Sequence, residues 1–126
     1  MNSRISGVRG KAMNLGKKLN VKVGMKLKVV AKPTSVDLGD VVTTRASDSG
    51  ALVFVKTLND VDALCGLAIE AALADRLAWV AYPKARQLGT DLDREILRKR
   101  LLQYRIRGVR QVAIDAVWSA MRFRPA

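Results

Sequence analysis

Two apolar stretches decide the fold: ALVFVK at residues 51–56 and LAWVAY at residues 77–82. The run from Leu52 to Val55 is continuously apolar, which is typical of a strand buried on both faces of a sheet. Between the two stretches, apolar residues from Val61 to Leu77 recur at helical spacing. A strand, a helix of about 18 residues and a second strand favour a right-handed parallel βαβ unit. We therefore expect the two stretches to be adjacent, central, parallel strands.

The residues before this unit predict one helix and two more strands. MKLKVVA, residues 25–31, alternates apolar and basic side chains and is expected to form a strand. Residues 41–46 are rich in β-branched side chains and are expected to form another. Ala12, Leu15 and Leu19 would share one face of a short helix.

Capping residues predict the helix ends after residue 56. Asn59 and Asp62 would cap the crossover helix, and Thr90 with Asp93 would cap a later one. Gly108 would end that later helix. Its apolar face would be formed by Ile96, Leu97, Leu101 and Tyr104.

The last stretches, VRQVAID at residues 109–115 and VWSAMRF at residues 117–123, favour two strands joined by a tight connection. A helical turn over residues 115–120 is the alternative that periodicity leaves open. The predicted fold class is α/β: a small, mostly parallel, Rossmann-like sheet with flanking helices and a carboxyl-terminal antiparallel strand pair.

Length and composition predict one domain. The chain has 126 residues, and 49% of them are apolar, enough for a real core. Residues 1–10, MNSRISGVRG, show no periodicity and are expected to be a flexible basic tail before a single domain at residues 11–126. Cys65 is the only cysteine, which favours a reducing, cytoplasmic location. No stretch reaches the roughly 18 apolar residues of a membrane span, and no secretory signal is present.

Charge is the strongest functional signal. The chain has 23 Lys and Arg against 11 Asp and Glu, a net charge of +12. Residues 1–36 sum to +9, residues 37–97 to −4 and residues 98–126 to +7. This segregation favours a polyanionic partner such as nucleic acid, and we hypothesise that the two basic segments share one face. The candidate phosphate-binding residues are Lys17, Lys18, Lys22, Lys26, Lys28, Arg98, Lys99, Arg105, Arg107 and Arg110.

Motifs for catalysis and cofactors are missing from the sequence. No glycine-rich phosphate loop or Walker motif is present, and the chain has no histidine. A zinc site or a histidine-based nucleophile system is therefore excluded, and no cofactor is expected. Helix-turn-helix and aromatic-rich RNA-binding signatures are also absent, so any nucleic acid would be contacted through its backbone.

Two local features have a structural and a functional interpretation. Cys65 lies on an apolar helix face, where a small buried side chain is favoured over a reactive thiol. Asp91, Asp93 and Glu95 form the densest acidic cluster, which could bind a cation but also suits the first turn of a helix. We favour the structural interpretation of both.

Three stretches resemble a family of small uncharacterised bacterial proteins, a domain-of-unknown-function family: LAWVAYPK at residues 77–84, TDL at residues 90–92 and VAIDAVWSAMRFRP at residues 112–125. The resemblance covers roughly residues 17–125 and implies a single α/β domain, similar in layout to the later part of a Rossmann-like methyltransferase. The cofactor-binding glycines of such enzymes are replaced by VVAKPTS at residues 29–35 and LADRL at residues 73–77. The resemblance groups Tyr82, Pro83, Lys84, Asp115, Trp118, Ser119 and Arg122 as one motif set.

Three functions follow from these features. The first is a non-enzymatic basic module that binds a polyanion without sequence specificity. The second is a protein-interaction or assembly module, self-association included, whose charge is incidental. The third is an enzyme with a small-ligand site at a strand end, because ligands gather at the carboxyl ends of parallel strands. Its candidate residues are Tyr82, Lys84, Asp115, Trp118 and Arg122.

Overall fold

A six-stranded mixed sheet forms the centre of the computed structural model, which describes residues 14–126. The strands are β1 (Leu27–Val30), β2 (Thr43–Thr44), β3 (Gly50–Phe54), β4 (Ala78–Pro83), β5 (Ile106–Ala113) and β6 (Trp118–Pro125). Their order across the sheet is β2-β1-β3-β4-β6-β5. The predicted tail at residues 1–10 and the predicted contribution of Ala12 to a helix lie outside the described residues.

The sheet is parallel on one side and antiparallel on the other. β1 pairs in parallel with both β2 and β3, and β3 pairs in parallel with β4. β6 runs antiparallel to β4 and to β5. The predicted α/β class, the central parallel pair and the carboxyl-terminal antiparallel pair are therefore confirmed. β2 is shorter than predicted, because Val41 lies in a turn and not in the strand. Val41 is buried there, and its backbone N–H donates to the Leu38 carbonyl.

Four α-helices flank the sheet in residues 14–126. They are α1 (Leu15–Lys18), α2 (Leu58–Leu64), α3 (Gly66–Leu73) and α4 (Arg94–Leu102). The single crossover helix predicted up to Leu77 is in fact two, α2 and α3, with Cys65 between them. α3 ends early because Asp75 takes a positive φ of 59° and the Arg76 N–H closes back on the Ala71 carbonyl.

The predicted cap of α2 was two residues too late. Thr57 is the N-cap: its hydroxyl accepts a hydrogen bond from the Asp60 N–H, and the Asp60 carboxylate accepts one from the Thr57 N–H. This reciprocal pair satisfies donors that a helix start leaves free. Asn59 lies inside the helix. The predicted capping pair of Thr90 and Asp93 does not form at α4, because Asp93 alone is its N-cap and the Thr90 hydroxyl donates to the Lys56 carbonyl.

Each face of the sheet carries its own hydrophobic core. On the helix face, Val53 and Val80 pack with apolar side chains of α2, α3 and α4. On the opposite face, which we call the α1 face, Leu15 and Leu19 pack on Leu52 and Trp79. The Trp79 indole N–H donates to the Leu19 carbonyl over 2.9 Å and so fixes α1 to the sheet.

Cys65 is fully buried on the helix face, as predicted. Burial, with smaller contributions from the nearby carboxylates of Asp62 and Asp60, raises the pKa of its thiol to about 12. The thiol therefore stays protonated at neutral pH. No helix in residues 14–126 has the length and apolar character that crossing a bilayer requires.

Candidate functional site

A β-bulge at Val109 sets the direction of the basic side chains on β5. Gly108 pairs with Phe123, and Arg110 pairs with Arg122, so that Val109 has no opposite residue on β6. Without the extra residue, side-chain alternation would turn position 110 toward the other face of the sheet. The bulge therefore brings Arg110 directly opposite Arg122.

A second pair of arginines lies beside the first. Arg107 is directly opposite Arg124, and alternation along β6 places both pairs on the α1 face. We call Arg107, Arg110, Arg122 and Arg124 the arginine quartet. Like charges directly opposite each other on neighbouring strands are destabilising, so this arrangement costs free energy.

Few carboxylates neutralise the positive charge of the quartet. In residues 14–126, Arg124 is its only member with a carboxylate within 4.0 Å, and its Nε and Nη2 both donate to Asp75 over 3.1 Å. The Nε of Arg122 is buried and has no hydrogen-bond partner in the same part of the chain. A buried guanidinium N–H without an acceptor is costly, and an anion would supply the missing acceptor.

An open pocket of about 650 Å³ adjoins Arg122 at the amino ends of β3 and β4. We call it the amino-edge pocket. Its charged lining consists of Lys22, Lys26, Arg76 and Arg122 with a single acid, Asp75. The Arg76 Nε donates to the Ser49 carbonyl over 3.2 Å, which holds this guanidinium at the pocket. The pocket extends the positive charge of the quartet toward the start of β1.

The ten predicted phosphate-binding residues do not all lie on one face of the sheet. Lys17, Lys18, Arg107 and Arg110 belong to the α1 face, and Lys22 and Lys26 line the amino-edge pocket. Lys28, whose register partner Ala51 belongs to the helix-face core, lies on the helix face, as do Arg98 and Lys99 of α4. Arg105 is exposed just before β5. The hypothesis of one common face therefore fails for Lys28, Arg98 and Lys99.

Arg76, Arg122 and Arg124 were not among the predicted phosphate-binding residues, although the structure places them on this basic surface. The signal available for two of them was the RFR triplet at residues 122–124, in which the arginines are two apart and so share a face of a strand. Arg76 carries no such signal, because only the fold brings its loop next to Arg122.

A second pocket, of about 680 Å³, lies at the carboxyl ends of β4 and β5. We call it the carboxyl-edge pocket. Tyr82 and Ser119, which are directly opposite each other on β4 and β6, both line it. The other polar side chains of the lining are Lys84, Asp93, Arg94 and Gln111. Burial raises the pKa of the Tyr82 hydroxyl, the Arg94 charge lowers it and Asp93 raises it, and the net change is upward.

The residues predicted as a strand-end ligand site do not line one pocket. Tyr82 and Lys84 line the carboxyl-edge pocket, but Arg122 lines the amino-edge pocket. The Asp115 carboxylate accepts the N–H groups of Val117 and Trp118 over 2.8 Å and so forms the β5–β6 turn. The Trp118 ring packs edge-on against Phe54, with ring centres 5.2 Å apart.

The acidic cluster has structural partners. The Asp91 carboxylate accepts the Leu58 N–H at the start of α2, and the Asp93 carboxylate accepts the Ile96 N–H at the start of α4. Glu95 pairs with Arg98 over 2.6 Å, and this hydrogen bond lowers the pKa of the Glu95 carboxyl. Residues 14–126 contain no group of three or more acidic, Cys or His side chains arranged to hold a metal ion.

Comparison of the chain with protein-family models and with curated proteins finds no match. The resemblance to a bacterial family drawn from residues 77–125 stays a prediction. Function is therefore argued from the geometry of the two pockets and the arginine quartet.

Proposed function

We propose that the protein binds a polyanion, with nucleic acid as the favoured class, through the arginine quartet and the amino-edge pocket. The observation that carries this proposal is the pair of directly opposed arginine couples, Arg107 with Arg124 and Arg110 with Arg122. Phosphate groups between these couples would turn a repulsive arrangement into an attractive one. Guanidinium groups suit this role because each presents a planar fork of donors to phosphate oxygens.

Further basic residues lie beside the quartet and enlarge the positively charged surface. Lys22, Lys26 and Arg76 continue the positive charge into the amino-edge pocket. Lys18 on α1 donates to the Ala113 carbonyl over 3.2 Å, so the helix with Lys17 and Lys18 stays close to β5. A surface of this extent favours a chain of phosphates over a single ion.

The aromatic residues support backbone contact without sequence preference. Trp79, Trp118, Phe54, Phe123 and Tyr82 are buried, and Tyr104 is the only aromatic side chain of the chain that is exposed. Stacking on bases needs exposed aromatic rings. Binding through phosphates alone is expected to differ little between unrelated sequences.

The test is binding to duplex DNA across a salt series, measured by fluorescence anisotropy. If about five phosphates are contacted, the logarithm of affinity falls with the logarithm of salt at a slope of about −4 to −5. The variant Arg107→Gln/Arg110→Gln, at two exposed positions, should weaken binding and reduce the slope by about 2.

The matched control is Arg98→Gln/Lys99→Gln, which removes the same charge from the helix face. It should leave most of the slope and affinity in place. Equal effects of the two double variants would contradict a role for the quartet, and no binding to DNA or RNA at low salt would contradict the proposal as a whole. Self-association with little salt dependence would instead favour the assembly function.

A further inference from the structure

We infer that the carboxyl-edge pocket is a separate site for a small ligand carrying an oxyanion, a carboxylate or a phosphate group. The inference concerns Tyr82, Lys84, Arg94 and Ser119. It goes beyond the polyanion proposal because the pocket lies at the opposite edge of the sheet from the amino-edge pocket and shares no lining residue with it.

Two hydroxyl groups that reach the pocket from buried residues carry the inference. Tyr82 is 3% exposed and Ser119 is 5% exposed, so both are more than nine-tenths buried. They are directly opposite each other on antiparallel strands, and so their Cβ atoms lie about 4.5–5.5 Å apart with both side chains on the helix face. Neither hydroxyl has a hydrogen-bond partner within residues 14–126, and both oxygens face the open pocket, since the Arg122 Nε is the only enclosed side-chain N or O in that part of the chain that lacks a partner.

Two hydroxyls with no protein partner are free to bind water or a ligand, and a ligand that displaces the water must replace its hydrogen bonds. The Tyr82 phenol is protonated at neutral pH, as any tyrosine is, and burial raises its pKa further. Both hydroxyls can then donate hydrogen bonds to a ligand in the pocket. Serine and tyrosine hydroxyls can also accept, so the neighbouring charges decide the ligand class.

Those charges favour an anion. Lys84 follows β4 directly, and its N–H donates to the Val117 carbonyl over 2.7 Å, which fixes the start of its side chain at the rim. Arg94 is the first residue of α4, and neither cation has a carboxylate within 4.0 Å in the part of the chain described. The one acid in the lining is Asp93, whose carboxylate accepts a hydrogen bond from the Ile96 N–H. Two hydroxyl donors and two unpaired cations match the acceptors of an oxyanion.

Position and size favour a small molecule. A volume of about 680 Å³ is within the range of small-molecule pockets. The pocket lies outside the carboxyl end of β4, and open α/β sheets bind ligands outside the carboxyl ends of their strands. Ala85, Val112 and Ala113 form part of the lining and leave room for a short apolar body on the ligand.

The test uses two probes, inorganic phosphate and acetate, titrated separately into the isotopically labelled full chain and followed by amide chemical shifts. At least one probe should shift the amides of Lys84, Gln111 and Ser119 in a saturable way. Tyr82→Phe and Ser119→Ala should each weaken that binding about tenfold or more, as expected when a hydrogen bond to a charged group is lost. A response to phosphate alone would indicate a phosphate ligand, and a response to acetate a carboxylate ligand.

Two controls separate this site from others. Tyr104→Phe removes the hydroxyl of the other tyrosine, which donates to Asp62, and should leave binding unchanged. Arg107→Gln/Arg110→Gln should also leave it unchanged, so loss of DNA binding and loss of this site are distinguishable. The inference is overturned if neither probe perturbs the pocket at millimolar concentration, or if Tyr82→Phe and Ser119→Ala, both still folded by circular dichroism, bind as tightly as the parent.

Discussion

Gly108 of β5 lies so close to Met121 of β6 that a Cβ atom at residue 108 would come within 2.5 Å of the Met121 sulfur. The sequence pattern predicted Gly108 as the end of a helix, and that was wrong, because α4 ends at Leu102 and residue 108 is in a strand. The glycine is instead required by packing: Met121 is buried against the helix-face core and occupies the space that a side chain at residue 108 would need.

Gly108→Ala should destabilise the protein by about 1–3 kcal/mol, the usual cost of overpacking a core. Urea denaturation followed by circular dichroism measures this change. The matched control is Gly66→Ala in α3, where a Cβ would meet no atom within 4 Å. Alanine there should be neutral or stabilising by up to ~1 kcal/mol, because glycine is a poor helix residue.

The position of the α2 cap can be tested by two alanine substitutions. Thr57→Ala removes the hydroxyl that accepts the Asp60 N–H and should cost about 1 kcal/mol of unfolding free energy. Asn59→Ala, at the residue predicted as the cap from sequence, should change stability by less than about 0.5 kcal/mol. A larger loss at Asn59 than at Thr57 in thermal or urea unfolding would restore the original assignment.

Repulsion within the arginine quartet should be visible in the stability of the protein without any ligand. Arg110→Gln removes one side of a directly opposed pair and should stabilise the fold by about 0.2–1 kcal/mol at low salt. The gain should shrink as salt rises, since ions screen exposed charges. Urea unfolding at low and high salt measures both effects, and a loss of stability at low salt would show that the arginines do not repel each other.

Because folding raises the pKa of the Cys65 thiol, the stability of the protein should depend on pH in the alkaline range. Its pKa rises from 9.0 to about 12 on folding, so the neutral thiol stabilises the fold fully below pH 9, and this contribution is lost as pH rises toward 12. At pH 8, iodoacetamide should label the native protein slowly and the urea-unfolded protein rapidly. Equal labelling rates in the two states would contradict the buried, protonated thiol.

The acidic cluster should matter for stability and not for the binding of a cation. Asp91→Ala and Asp93→Ala each free an N–H at a helix start and should each cost about 1 kcal/mol in urea unfolding. Glu95→Gln should leave stability close to that of the parent, since its partner Arg98 is an exposed neighbour on the same helix. Stabilisation of the parent by millimolar Mg²⁺ or Ca²⁺, abolished in these variants, would instead show a cation site.

Strands and the parallel unit could be predicted because their signals are local. The continuous apolar run from Leu52 to Val55 and the stretch at residues 77–82 both became central strands. Helix ends were less predictable, because Thr57, Asn59 and Asp62 are all plausible capping residues and only the backbone selects one. Gly66 directly follows the break at Cys65, but a single glycine within a helical pattern is tolerated and does not predict two helices.

The candidate sites were less predictable than the fold because they depend on register. The bulge at Val109 inverts the side-chain alternation of β5, and nothing in VRQVAID shows where it falls. A regular strand would have put Arg107 and Arg110 on opposite faces. The pairing of Tyr82 with Ser119, 37 residues apart in sequence, likewise follows only from how β6 is inserted beside β4.

β5 is an edge strand of eight residues, and one side of its backbone has no neighbouring strand within residues 14–126. Free strand edges invite pairing with other chains, and charged side chains with a bulge are the usual protection against aggregation. Here Arg107 and Arg110 provide the charged side chains, and Val109 provides the bulge. A bound polyanion would neutralise the same charges that keep two such edges apart. Long polyanions that gather many copies should therefore promote condensation of the protein, whereas short ones should leave it dispersed.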